Sequence, residues 1–388
     1  MSVYIHSFAS LSALGNTPED IAAHLRTRTA PGMYPREGWL LHKALMLGGV
    51  EGALPSLPEG LSRHDSRNNR LLLAALVQME ASVRESIDRY GPSRISIVMG
   101  TSTSGLDETD RYLNATAKEQ PLLFWDYAMQ ELGNLSAFLA AYLQVTGPRY
   151  TVATACSSSA RALISGVRLL KSGLCDAVLV GGADTLSRMP INGFNALELV
   201  SDKLCAPFAR ERDGITIGEG AGLMLLTREK SALEVAGLGE SSDAHHISAP
   251  HPEGAGAGKA MRMALESAAL KPSDIAYVNL HGTASRLNDR AEATAMRAVF
   301  GTTTASSTKY LTGHTLGASG IVELCLCALT LKENLPLVPQ DFSVNHKDET
   351  LPEFGLLLEE NTRLKRPLIM SNAFAFGGNN TSVILKGA

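Results

Sequence analysis

The sequence predicts a layered α/β fold. Apolar runs of strand length alternate with amphipathic stretches of helical period, and glycine-rich turns join them. Composition agrees: 45% of the residues are hydrophobic, 19% are charged and 35 are glycines, the profile of a compact enzyme with many close backbone turns. With 388 residues the chain is long enough for two domains, or for one large duplicated unit.

The first clear element is a helix with Thr17 as N-cap, Pro18 at the first helical position and Glu19 and Asp20 in the first turn. Leu71 to Tyr90 reads as one long helical segment that stops at Gly91 and Pro92. Residues 95–99, 150–153, 177–180, 223–226 and 275–280 read as buried strands. A boundary candidate falls at residues 230–257, where Gly, Ser, Pro and His give a loop-like composition. No internal repeat is visible.

Charge and cysteine usage narrow the function classes. The 35 basic against 39 acidic side chains give a net charge of -4, without the basic surplus of a nucleic-acid-binding surface. The N-terminal stretch lacks a basic region followed by an apolar one, and no run is long enough to span a membrane, so a cytoplasmic protein is expected. Cysteines 156, 175, 205, 325 and 327 form neither a disulfide framework nor a zinc-ligand spacing, and are expected to be reduced. His245, His246 and His251 cluster in a loop without a carboxylate or cysteine at ligand spacing, so no metal is expected there.

Cys156 is the first candidate for chemistry. In RYTVATACSSSARALISGVRLLKSGLC a β-branched strand passes through a small-residue turn into an amphipathic helix, and Cys156 sits at that turn. The unpaired N–H groups and dipole of the helix start are expected to lower its thiol pKa. Alone, the feature reads equally as a buried, inert cysteine. Two further turns carry histidines. IAYVNL runs into HGTAS, which places His281 at the carboxyl end of a strand with Thr283 and Ser285 behind it. SSTKYLTGHTLGASGIVELCLCALTL puts Lys309 and His314 on a Gly- and Thr-rich turn before an apolar helix. Singly these are satisfied polar groups as readily as catalysts; together they point to one site. In SNAFAFGGNNTSVILK, Gly377 and Gly378 form a turn with Phe374 and Phe376, where backbone N–H groups are free to face a reacting carbonyl. An ordinary turn before a strand, with buried aromatics, is the other reading.

TACSSS, HGTAS, STKYLTGHTLGASG and FAFGGNN, with PFARERDGITIGEGAG at 207–222 and GTSTSG at 100–105, resemble in order and spacing the motifs of the decarboxylating β-ketoacyl-acyl carrier protein synthases I and II. The similarity spans nearly the whole chain. It implies a thiolase fold: two similar βαβαβαββ halves in five αβαβα layers, residues 1–230 carrying the nucleophile and 231–388 the two histidines. The family is usually dimeric. Cys156 matches the acyl-carrying nucleophile, His281 and His314 the paired histidines, and Lys309 the supporting lysine. Thr283 and Ser285 match hydroxyls that hold the pantetheine arm, and Glu323 a buried acidic residue of the site. Phe376 matches the gating aromatic whose N–H forms an oxyanion hole with that of Cys156, and Phe374 joins it among the substrate-binding positions. The partners implied are acyl- and malonyl-loaded acyl carrier proteins; no cofactor is implied.

On this resemblance, the Cys156 thiolate takes an acyl group from a thioester, and malonyl carrier protein then loses carbon dioxide while His281 and His314 stabilise the enolate that attacks the acyl-cysteine. Lys309 is expected to fix the tautomer and orientation of the site rather than act as a base. A thiolase would need a second cysteine where this chain has FAFGGNN, and the initiating synthases of the third type pair cysteine with histidine and asparagine rather than with a second histidine. The rival from another class is a catalytically silent, chain-length-factor-like subunit, which usually lacks the nucleophile. Departures from the family pattern stand at Ala284 and Ser285, at Ala373 and Ala375, where Ser and Gly are usual, and at Asn379, where Thr is usual. Residues 229–237 lack the family's usual longer helix and strand. GNTPEDIAAHLRTRTAPGMYPREGW and SRNNRLLLAAL are similar to ketosynthase-like subunits of aryl polyene type II polyketide systems, which implies a heterodimer with a second synthase homologue. Residues 106–129 and the dimer interface are expected to set acyl-chain length. Arg63, Arg67, Arg70 and Arg210 are the candidates for a basic patch facing an acidic carrier protein.

Overall fold

The computed structural model describes residues 1–41, 43–122 and 124–388. The amino-terminal part contains β1 (Tyr4–Leu11), α1 (Pro18–Thr27), the hairpin β2 (Met33–Leu40) and β3 (Lys43–Gly48), α2 (Arg67–Leu76) and α3 (Glu80–Tyr90). Next come β4 (Ile95–Gly100), α4 (Leu106–Ala117), α5 (Asn134–Leu143), β5 (Arg149–Val152), α6 (Ser158–Lys171), β6 (Ala177–Asp184), α7 (Arg188–Ala196) and β7 (Gly220–Thr227). The remainder contains β8 (Leu233–Ser242), α8 (Ala255–Ser267), β9 (Tyr277–Asn279), α9 (Arg286–Phe300), β10 (Ala305–Ser306), α10 (Lys309–Thr312), α11 (Ser319–Glu333), β11 (Leu368–Phe374) and β12 (Asn379–Gly387).

Ten strands are hydrogen-bonded in the order β10-β9-β11-β12-β8-β1-β7-β6-β4-β5. The order hides a duplication. β4 is parallel to β5 and β6, β6 is antiparallel to β7, and β7 to β1. The second set repeats this: β9 is parallel to β10 and β11, β11 is antiparallel to β12, and β12 to β8. The two sets join only through the short pairing of Tyr4 with Glu234 and Ile5 with Leu233. α6 follows β5 as α11 follows β10, and these two helices pack on each other and on strands of both sets. α2 and α5 cover the outer face of the first set, and α8, backed by α9, covers the second. This is the five-layered thiolase arrangement.

The sequence explains the layers. β4, β6 and β7 are buried at every residue, as strands covered on both faces must be. α11 is buried at every position from Ser319 to Thr330, the pattern of a helix enclosed on all sides. α1 starts as expected, with Thr17 Oγ1 accepting from the Asp20 N–H at 3.1 Å.

Four expectations need correction. Leu71 to Tyr90 is two helices, α2 and α3, because Met79 leaves helical geometry (φ −129, ψ 8); α2 can then bury Leu71, Leu72, Ala75 and Leu76 while α3 buries Val83 alone. The strand expected at Tyr150–Ala153 runs Arg149–Val152, since Ala153 already enters the turn before Cys156. The strand at Ile275–Leu280 shortens to Tyr277–Asn279 after a 3-10 turn at Pro272–Asp274. The region 229–237 does contribute a full strand: β8 pairs with β12 from Leu233 to Ser242.

Candidate active site

The turn before α6 is sharp because Ala155 takes a left-handed backbone conformation (φ 50). The serines after Cys156 lock it. Ser158 Oγ accepts from the Thr154 N–H at 2.9 Å and donates to Ala155 O at 2.6 Å, and Ser157 Oγ donates to Thr154 O at 2.9 Å. Gly100 lets β4 approach α6: a Cβ there would lie 2.4 Å from the Ser158 and Ser159 backbone. The start of α11 is tied to the same turn, since Ser319 Oγ donates to Cys156 O at 3.3 Å and Ile321 N to Ser159 Oγ at 3.0 Å.

His281 leaves the end of β9 and is fixed from below by α9. Glu292 accepts from the N–H groups of His281 and Gly282 at 2.9 and 2.7 Å. One turn earlier, Asp289 accepts from the N–H groups of Thr283, Ala284 and Phe208 at 3.1, 3.1 and 2.7 Å. Burial raises the pKa of Glu292 to about 7 and of Asp289 to about 6. His314 follows Gly313 (φ 69), and its N–H donates to Thr216 O at 2.7 Å. A third buried carboxylate, Asp184 at the end of β6, accepts from Thr101, Ser102 and Thr103 on one side and from the Ala318 N–H on the other, joining the GTSTSG loop to the His314 turn. Asp184, Asp289 and Glu292 were missed in the sequence. Their signal, acidic residues in otherwise apolar stretches, is present at Asp184 but not on α9, where charged residues are ordinary.

The three turns meet. His314 Nε2 lies 3.0 Å from Cys156 Sγ, and the His281 and His314 rings are edge to face with centroids 5.3 Å apart. The sulfur and a nitrogen of each ring lie within 4.8 Å of one another. This is the group that comes close enough for a metal among the described residues. His246 and His251 instead accept backbone N–H groups of their own loop. Lys309, buried on α10, forms an ion pair with Glu323 on α11. Burial, with the Lys309 charge second, holds both imidazoles well below the usual histidine range, so both are neutral near pH 7. Nδ1 of each ring is buried without a partner among the described residues, so the protein contact that bears on a tautomer is that of Cys156 Sγ with His314 Nε2; the bond that Lys309 makes goes to Glu323, and its effect on the rings is to oppose their protonation.

The Cys156 thiol does not have the lowered pKa expected of a helix start. Burial pushes it up to about 11, against the opposing pull of Lys309 and of the backbone N–H of Phe376. The helix begins two residues later, at Ser158, and desolvation outweighs its dipole. The raised pKa favours the protonated thiol, and His314 Nε2 lies within hydrogen-bond distance of the sulfur. The backbone N–H of Phe376 is near enough to lower the thiol pKa, and Phe376 lines the same pocket as Cys156.

A pocket of about 210 Å³ opens onto these atoms, walled by Cys156, His281, His314, Phe374 and Phe376, with Thr283 and Ser285 along its side. The hydroxyls of Thr283 and Ser285 are 3.1 Å apart. Phe376 packs against Phe194 of α7 with the rings tilted by 53° and their centroids 5.6 Å apart, a partner the sequence did not suggest. None of the described residues of 106–129 lines this pocket within the single chain; residue 123 lies outside the described residues. Of the arginines considered for a basic patch, Arg67 pairs with Glu219, Arg70 with Asp65 and Arg210 with Glu211, while Arg63 is exposed; Arg286 lines the pocket.

Comparison with known proteins agrees with this geometry. Residues 60–232 match the N-terminal domain of beta-ketoacyl synthases and residues 232–341 the C-terminal domain. The 3-oxoacyl-acyl-carrier-protein synthase 2 of Staphylococcus aureus is 30% identical over 351 residues, covering 82% of this chain and 84% of its own. The chain belongs to the β-ketoacyl synthase family. Nodulation protein E of Rhizobium meliloti is a second relative of this acyltransferase family, 31% identical over 339 residues and 82% of each chain. Among solved structures, a chain of the complex between a ketosynthase and its chain length factor from Xenorhabdus doucetiae matches with 54% identity and a TM-score of 0.98, over 100% of this chain and 98% of that one. A β-ketoacyl synthase from Burkholderia phymatum matches with 26% identity and a TM-score of 0.88, over 100% and 99%. In this synthase no helix among the described residues is long and apolar enough to cross a membrane.

Proposed function

We propose that the chain is the catalytic subunit of a ketosynthase that condenses a Cys156-bound acyl group with malonyl carrier protein in fatty acid or type II polyketide synthesis of the aryl polyene kind, paired with a second synthase homologue. The observation that carries this is the 3.0 Å contact of His314 Nε2 with Cys156 Sγ, beneath the Phe376 N–H. A silent chain length factor has no use for a sulfur, a base and an oxyanion donor in register. In the first half-reaction the sulfur attacks the thioester carbonyl, His314 takes the thiol proton and passes it to the departing pantetheine thiolate, and the N–H groups of Phe376 and Cys156 hold the oxyanion. In the second, the neutral imidazoles donate to the thioester oxygen as carbon dioxide leaves, His314 in the tautomer with its proton on Nε2, and the carbanion attacks the acyl-cysteine, breaking its C–S bond and releasing the Cys156 thiolate, which takes a proton from solvent. The cytoplasm is the expected location.

Intact mass spectrometry after incubation with an acyl-loaded carrier protein tests this. The expected result is one acyl adduct, absent from Cys156→Ala. A folded chain that stays unacylated, alone and with its partner, while a control synthase is acylated, assigns it the silent role.

A further inference from the structure

Arg161 stands on the first turn of α6, on the helix that begins beside the nucleophile. Its Nη1 donates to Asn379 Oδ1 at 3.2 Å, and Glu240 of β8 forms an ion pair with the same guanidinium, 3.4 Å from Nε but without hydrogen-bond geometry. Asn379 closes the turn that carries Phe376: the Ala375 N–H donates to Asn379 O at 2.9 Å. Between them Gly377 and Gly378 take φ values of 75 and 72, so the turn has little stiffness of its own. The Asn379 amide sits directly under it, with Nδ2 3.3 Å from where a Cβ on Gly377 would lie. The other ties of this turn lead elsewhere: Gly377 N donates to Ile247 O, Asp243 N to Gly378 O, and Asn380 Nδ2 to Asp243. Among the described residues, Arg161 to Asn379 is the one hydrogen bond between α6 and residues 375–379.

An oxyanion hole works only when both donors sit at hydrogen-bond distance from the developing charge, and here one donor belongs to the α6 turn and the other to the Phe376 turn. We propose that Arg161 and Asn379 are positioning residues that set the separation of these two donors, by tying the Phe376 turn to the nucleophile's helix. The inference rests on the condensing reading given above. It also gives a physical role to Asn379, which stands where the family pattern has Thr: its side-chain carbonyl is what the guanidinium binds.

The test compares two reactions of the same sulfur in Arg161→Met, Asn379→Leu and the double variant. Acylation by an acyl-loaded carrier protein builds a tetrahedral oxyanion; alkylation by iodoacetamide does not. Each single variant is expected to slow acylation about tenfold, as misplacing one donor should, while alkylation and the melting temperature stay at wild-type values. The double variant is expected to be no slower than the slower single one, and Asn379→Asp, which keeps the acceptor, to acylate near the wild-type rate. Equal loss of both reactions, unchanged acylation, or losses that multiply in the double variant overturn the proposal. A wild-type chain that takes no acyl group overturns the condensing reading instead, and this one with it.

Discussion

Lys309 and Glu323 are each 1% exposed, and burying both charges costs free energy that their mutual attraction only offsets while the pair is whole. Burial raises the Glu323 pKa, with Lys309 opposing, and the second carboxylate oxygen has no partner. Lys309→Met therefore leaves an uncompensated buried acid and should cost about 3–5 kcal/mol in urea unfolding. Adding Glu323→Leu should recover most of that stability. It should not restore condensation, because the cation beside the histidines is still missing; a double variant as unstable as the single one would contradict this account. At Cys156 the same physics acts on a thiol: desolvation favours its protonated form, beside a neutral imidazole at 3.0 Å. On the proposed condensing role, this arrangement reserves the thiolate for the moment of attack.

Among the elements, α9 does the most to hold the site. Its first two turns place Asp289 and Glu292 under the backbone of His281, Gly282, Thr283 and Ala284, so the His281 loop is shaped by carboxylates that never touch substrate. The pKa of Glu292 rises from 4.5 to about 7 on burial. A raised folded-state pKa means that the folded protein binds the extra proton. The stabilisation this gives is complete below about pH 4.5 and is lost as pH climbs through about 7. The melting temperature of the wild type minus that of Glu292→Gln is thus expected to fall as pH rises across that window and to level off above it; a difference that is flat or grows with pH would sink the assignment. α6 and α11 set the rest of the geometry. Each starts at a reactive turn, Cys156 before one and His314 before the other, and their packing on one another brings the two turns together.

For the whole molecule, the duplicated topology explains why residues so far apart in sequence meet. The two halves repeat one strand order, and the turns leading into α6 and α11 are their corresponding parts, so packing those helices together places the sulfur beside a histidine. The first half also ends on an edge strand, β5, and Leu113, Phe124 and Tyr127 are 59%, 66% and 62% exposed. An unpaired edge and exposed large apolar side chains favour association with a second, similar chain. Light scattering on the purified chain is expected to give twice its mass, or a one-to-one complex when it is co-expressed with a chain-length-factor homologue. A monomer in both preparations would contradict this.

Cys156, His281, His314 and Lys309 each lie in a local motif that the sequence by itself determined, whereas Glu323 was matched only through the family resemblance; the structure brings the sulfur and both rings together and pairs Lys309 with Glu323. Alternation of apolar runs likewise identified the buried strands, because burial on both faces leaves a mark at every residue. Only the tertiary structure decided the rest. The duplication is a matter of strand order, which different side chains satisfy equally well. The break at Met79 has no glycine or proline to mark it in the sequence. The raised Cys156 pKa, the pairing of Arg67 and Arg70, and the placing of Arg286 at the pocket depend on which groups surround a side chain once the chain is packed. Desolvation and long-range pairing are properties of that packing, and no window of neighbouring residues contains them.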